Sequence, residues 1–274
     1  MLNKRIPLNP EDETIYLETF AADTTPYVRP AILVIPGGGY GGVCDDREGE
    51  PIALAFVAKG YQAFVLHYSV KRVRPYPAQL CEASLAMAHI RDHAEEYRVN
   101  PDRVYVTGFS AGGHLAGSLA TMWHKPCVYE ATGIEYGKNR PTGAMLVYPV
   151  VTGIHGFGPF GSFYNLLCKD NPTADELREV SLEANVSERS APLFVVHTSN
   201  DPLVDVRNAL VLGAAYREHG LMFEMHIYPD APHGIALGNA ITENGQPKWS
   251  DPAMAQWIDH AVYWADKMNA QSEK

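Results

Sequence analysis

No stretch of this sequence stays apolar for long. The run at 31–35, Ala-Ile-Leu-Val-Ile, is cut off by Pro36, whereas a helix needs ~20 apolar residues to cross a bilayer, so no membrane partner is expected. The start lacks the apolar centre of an export signal, since Met1-Leu2-Asn3-Lys4-Arg5 leads into Pro7 and Glu11-Asp12-Glu13. Cysteine is scarce: 4 in 274 residues, and Cys44, Cys81, Cys127 and Cys168 form no C-x-x-C pair. That excludes a disulfide scaffold and leads us to expect reduced thiols and a cytoplasmic location. Positive charge is in deficit, with 22 basic side chains against 32 acidic ones and a formal charge of −10. Such a field repels polyanions, so nucleic acid is not an expected partner. Repeats, Ser/Gly linkers and low-complexity runs are missing too, and one domain over 1–274 is expected.

What remains is an ordinary globular composition, 46% hydrophobic and 20% charged, with strand and helix signals in alternation. Short apolar runs at 31–35, 62–66, 103–107, 144–147, 193–197 and 223–228 have the pattern of strands buried on both faces. Residues 14–20 read as an outer, antiparallel strand. Between these lie helical periodicities, notably at 51–59, 78–98, 113–123 and 254–268. Ser250 or Asp251 can cap the last of these, with Pro252 in its first turn. Alternating strands and helices predict an α/β fold, a mostly parallel sheet flanked by helices. Residues 152–189 break the rhythm, with a Gly/aromatic loop followed by a helical stretch. A segment of ~40 residues between two strands is too long for a plain connection, and we expect a cap-like insertion.

The strongest chemical signal is Gly108-Phe109-Ser110-Ala111-Gly112-Gly113-His114. It follows one predicted strand and precedes a predicted helix, the context of a G-x-S-x-G nucleophile turn. Side chains at the flanking glycines would clash in so sharp a turn. The same turn presents the Ala111 amide at a helix start, where it can bind developing negative charge. A serine nucleophile needs a base, and the base an orienting carboxylate. Asp201 and His233 each fall just after a predicted strand end, where open α/β sheets gather their sites. Asp205 competes with Asp201 but is better placed to cap the following helix. Pro36-Gly37-Gly38-Gly39-Tyr40-Gly41-Gly42 follows the first buried strand, where backbone amides could approach a reacting carbonyl.

Other readings of these motifs are weaker. Gly37, Gly39 and Gly42 also match G-x-G-x-x-G, but the next strand ends Val65-Leu66-His67-Tyr68-Ser69 without the acid that would hold a ribose. Asp45, Asp46, Glu48 and Glu50 read as acids at a helix start, or as a polar rim beside the glycine loop. His89 and His93 share a helix face but have no third metal ligand in view. No cofactor or metal is implied.

Taken together, Pro36–Tyr40, Gly108–His114, Asp201-Pro202-Leu203-Val204 and Pro232-His233-Gly234 resemble the α/β-hydrolase esterases. The resemblance is closest to the bacterial small carboxylesterases and acetylesterases associated with acetylated plant polysaccharides such as xylan. It implies Ser110 as nucleophile, Asp201 as orienting acid, His233 as base, and an oxyanion hole from Gly38, Gly39 and Ala111. Pro36 departs from the hormone-sensitive-lipase branch, which has histidine there. Tyr40, Phe109, Phe157 and Phe160 are expected to contact substrate. The expected activity is hydrolysis of short-acyl esters, acetyl above all, of small molecules or acetylated oligosaccharides. A serine peptidase of the same fold, or a binding protein on a hydrolase scaffold, are the alternatives.

Overall fold

Alternation along the buried strands decides the layers. In β3 (Arg29–Ile35) every side chain from Ala31 onward is buried, yet neighbours serve different cores. Ala31, Leu33 and Ile35 pack on one face of the sheet, Ile32 and Val34 on the other. Strands β6 (Ala144–Val147) and β7 (Leu193–Thr198) divide in the same way, with Leu146 and Val195 on the first face and Met145 and Phe194 on the second. A strand that must satisfy two apolar layers loses the apolar/polar alternation of a half-exposed one. This is why the sequence shows these strands as unbroken apolar runs.

The computed structural model describes residues 1–24 and 26–272; the expected domain, 1–274, includes positions 25, 273 and 274, which lie outside the described residues. The strands form one 8-stranded sheet of order β1-β2-β4-β3-β5-β6-β7-β8. The remaining members are β1 (Arg5–Pro7), β2 (Tyr16–Phe20), β4 (Gln62–His67), β5 (Val99–Phe109) and β8 (Phe223–Tyr228). From β4 to β8 in that order all pairs are parallel, while β2 joins β4 and β1 joins β2 antiparallel. The first face carries the helices Ala78–Asp92, Ser110–Met122 and Arg207–Glu218, through side chains such as Met87, Leu119 and Tyr216. The second face carries Glu50–Ala58 and Trp257–Ser272, through Phe56, Trp257 and Trp264. No described helix is long and apolar enough to cross a membrane.

Several boundaries differ from the sequence expectation. The outer antiparallel strand is not outermost, because Arg5–Pro7 pairs beyond it. Three residues ending in proline carry too little pattern to be seen in advance. The helix expected over 78–98 leaves helical geometry at His93 (φ −109°, ψ 25°), and a separate turn, Ala94–Tyr97, follows. Asp251, not Ser250, caps the C-terminal segment, its Oδ1 accepting the Met254 N–H at 2.7 Å. The segment 152–189 holds two short helices, Phe160–Leu167 and Ala174–Val180, the second started by a Thr173/Glu176 capping box.

Burial on both faces predicts a steep contrast in stability. Leu33→Ala should cost about 2–5 kcal/mol, as for other truncations of buried leucine. Leu54 is 40% exposed, and Leu54→Ala should stay near about 0.5 kcal/mol. Urea unfolding of the two variants checks this.

Candidate active site

The turn between β5 and the following helix is possible only with glycine on both sides. A Cβ on Gly108 would lie 2.2 Å from the Gly112 carbonyl oxygen, and one on Gly112 2.1 Å from that of Ile35. Ser110 sits between them at φ 52°, a left-handed conformation that a non-glycine residue adopts only under constraint. The constraint is the parallel pairing of β5 with β3, which sets Gly108 beside Ile35. Ser110 is thereby lifted off the C-terminal edge of the sheet at the head of its helix.

Two later strands end beside it. His233 Nε2 lies 2.9 Å from Ser110 Oγ, and His233 Nδ1 lies 2.7 Å from Asp201 Oδ2. An ionised carboxylate only accepts, so Nδ1–H donates to Asp201 and Nε2 is left to accept a hydrogen bond from the Ser110 hydroxyl. Asp201 Oδ1 accepts the N–H groups of Leu203 and Val204, each at 2.9 Å. Burial acts to raise the Asp201 pKa, but the hydrogen bond and charge of His233 and these two amides outweigh it, so the carboxyl sits below its ordinary value. His197, also buried, donates from Nε2 to the Val204 carbonyl at 2.8 Å and closes the loop from behind. Asp205 is elsewhere. Its carboxylate accepts the Arg207 amide and guanidinium, which hold it down to about 2. It stands one residue before the N-cap, Val206, rather than being the cap.

The glycine loop after β3 faces the serine. Gly38, Gly39 and Tyr40 all have positive φ, at 128°, 63° and 56°. Among the described residues, the Gly38 and Gly39 N–H groups donate to no other group of the chain. Bonds from several neighbouring elements hold the loop. Asn165 Nδ2 donates to the Gly39 carbonyl at 2.9 Å, and the Tyr40 hydroxyl donates to His114 Nδ1 at 2.7 Å. His114 Nε2–H then donates to the Val180 carbonyl at 2.7 Å. Nothing in the sequence singles out Asn165 for this task.

These elements enclose a cleft of about 390 Å³, lined by Ser110, His233, Gly38, Gly39, Arg47, Glu48, Pro159, Ser162, Leu203 and Trp249 among others. The four aromatic residues expected to contact substrate are not in that wall. Tyr40 is 1% exposed, its ring turned to His114 and Tyr68. Phe109 is buried beneath the turn against Tyr148 and Trp257, because it precedes Ser110 on β5 and its side chain falls to the second core. Phe157 stacks on His155 and under Arg207, and Phe160 on Tyr164. The segment 152–189 reaches the cleft instead through Pro159 and Ser162. Glu48 is no rim residue either: it is 2% exposed and part of the floor.

A family model, BD-FAE, matches residues 15–159, over half of the chain. The chain belongs to the BD-FAE family. The matched part includes the glycine loop and the serine turn and stops before Asp201 and His233. Its fold is that of the α/β hydrolases. A solved acetyl ester-xyloside bifunctional hydrolase from Caldicellulosiruptor lactoaceticus is 31% identical with a TM-score of 0.81, over 97% of this chain and 96% of that one. Endo-1,4-beta-xylanase B of Butyrivibrio fibrisolvens is 35% identical over 77% of this chain and 33% of its own length. The acetylxylan esterase of Xylanibacter ruminicola is 29% identical over 76% of this chain and 41% of its own. The chain thus spans less than half of these curated relatives.

The Tyr40–His114–Val180 chain makes a pH prediction. Burial pushes the His114 pKa down to about 4, and burial also holds His89 at about 4. In the unfolded chain both return to about 6.5, so the unfolded state binds protons first. Native stability is then full above about pH 6.5 and declines as pH falls towards about 4. Urea midpoints at stepped pH should show this. A His114→Gln variant, less stable at neutral pH, should decline less steeply.

Proposed function

We propose that the chain hydrolyses short-acyl carboxylic esters, acetyl esters of xylose-type sugars foremost, through an acyl-enzyme on Ser110. The observation that carries this reading is the unbroken Ser110–His233–Asp201 line opening onto a cleft whose far wall offers undirected backbone N–H groups. His233 Nε2 takes the proton as Ser110 Oγ bonds to the carbonyl carbon. The carbonyl oxygen, now anionic, accepts from Ala111 and from Gly38 or Gly39. His233 returns the proton to the departing alcohol as the tetrahedral carbon collapses to the acyl-serine. Water, activated by the same nitrogen, then releases the acid and restores the serine. Asp201 keeps the imidazole in the tautomer these transfers need.

Acetyl preference rests on the lining and on the relatives. Arg47 and Ser162 interrupt the apolar surface of Pro159, Leu203, Val204 and Trp249, and a long acyl chain gains about 0.8 kcal/mol per CH₂ only where that surface is continuous. The names of the solved bifunctional hydrolase and of the curated esterase point to acetylated xylose units.

Two measurements test this. Ser110→Ala should stay folded and lose turnover; Asp201→Asn should lose roughly 10⁴-fold in rate, and Asp205→Asn should keep it. Wild-type rates from a folded Ser110→Ala variant would overturn the mechanism. The second is kcat/KM for p-nitrophenyl acetate, butyrate and octanoate, with acetylated xylo-oligosaccharides alongside. Acetate should lead, and Phe157→Ala and Phe160→Ala should leave the order unchanged, since neither ring lines the cleft. An octanoate preference would overturn the short-acyl assignment.

A further inference from the structure

Arg47 and Glu48 are neighbours on the short turn Asp45–Glu48, between the glycine loop and the next helix. Each reaches a different part of the site. Glu48 Oε2 accepts the Gly37 N–H at 2.8 Å, at the root of the glycine loop. Its Oε1 accepts the Tyr148 hydroxyl at 2.8 Å, and Tyr148 Oη in turn accepts the Ala236 N–H at 3.0 Å, on the loop that carries His233. Arg47 Nη1 donates to the Gly234 carbonyl at 2.7 Å, one residue beyond His233. Its guanidinium lies 4.2 Å over the Trp249 ring, which fixes the side chain in a single direction. The Tyr148 ring centre is 4.9 Å from that of His233.

The Glu48 carboxyl has little room for any other role. It is almost fully buried, and burial raises its pKa while its two hydrogen-bond donors oppose the rise. A Cβ on Gly37 would lie 2.7 Å from Glu48 Oε2 and 2.7 Å from the Phe109 carbonyl oxygen. Glycine at 37 therefore lets the carboxylate come up directly beneath the loop, next to the strand that delivers Ser110. Asp201 orients the imidazole ring but leaves the backbone of 233–236 to be held by something else. Arg47 holds it at Gly234, and Glu48 holds the Ala236 N–H through Tyr148, while the Thr242 hydroxyl at 3.3 Å and Trp257 Nε1–H at 3.0 Å hold the Ile235 and Ala236 carbonyls.

We infer that Arg47 and Glu48 are positioning residues that set the distance between the oxyanion-binding loop and the general base. The inference rests on the proposed ester hydrolysis at Ser110. Neither side chain needs to touch the reacting atoms. Both act by keeping two loops, far apart in sequence, in one register with the serine between them.

The test uses Arg47→Met, which keeps the stem over Trp249 but removes the donor, and Arg47→Lys, which restores a donor. Glu48→Gln keeps the shape but turns a donor towards either Gly37 or Tyr148. Melting temperature, kcat and KM for p-nitrophenyl acetate, and the low-field proton NMR signal of the His233–Asp201 hydrogen bond are measured for each. Arg47→Met and Glu48→Gln should lower kcat by about 10–100-fold, the scale of a small misplacement, with KM within about threefold. Both should shift or broaden the proton signal, and Arg47→Lys should recover part of kcat. Variants with lower melting temperatures but wild-type kcat and an unmoved signal would overturn the inference and leave the esterase reading standing. A wild-type chain that cleaves no ester, while the signal still responds to both substitutions, would overturn the esterase reading and support the coupling.

Discussion

The contact between Gly112 and the carbonyl oxygens of Ile35 and Pro36 is the constraint from which the site follows. A single methyl group there would stand 2.1 Å from one oxygen and 2.4 Å from the other. Because the gap is closed, the helix after β5 starts hard against the end of β3. That places the serine turn and the glycine loop on the same edge of the sheet, with no linker between them. Parallel pairing of β5 with β6, of β6 with β7 and of β7 with β8 then brings the ends that carry Asp201 and His233 to that edge.

The parts visible in the sequence are those where a physical demand falls on consecutive residues. Burial on two faces makes β3 from Ala31 onward and β6 apolar throughout, and β7 nearly so, and the alternation of such runs with helices implies a mostly parallel sheet. The G-x-S-x-G turn is visible because two of its positions exclude any Cβ. Asp201 and His233 can be picked out because each follows a strand end by a few residues. Arg5–Pro7 is invisible for the opposite reason: its pairing depends on where β2 lies, not on its own side chains.

Side-chain direction is where reading along the chain breaks down. Tyr40 and Phe109 adjoin the glycine loop and the serine, and proximity in sequence suggests proximity to substrate. The strand period sends Phe109 into the second core, and the left-handed backbone at Tyr40 turns its ring towards His114. Glu48 is misread in the converse way. Among four acids near a helix start it looks like a solvated dipole partner, yet it lies beneath the loop because Gly37 leaves the space. Phe157 and Phe160 belong to an apolar loop whose rings find each other's neighbours, His155, Arg207 and Tyr164, before they find the cleft.

The bonds that fasten residues 152–189 bear on how such a segment could be exchanged between relatives. Asn165 supplies a donor to the Gly39 carbonyl, and the Val180 carbonyl receives the buried His114 N–H. At the base, Asn208 Oδ1 accepts the Val151 and Thr152 amides. A graft that brought a different segment without matching groups would strand polar atoms on the helix after β5 and on the glycine loop, each at a cost of about 1–3 kcal/mol. The segment therefore cannot be swapped as a free-standing module. A chimaera would have to carry His114, Tyr40 and Asn208 along with it, so the unit of exchange is larger than the stretch of chain that looks inserted.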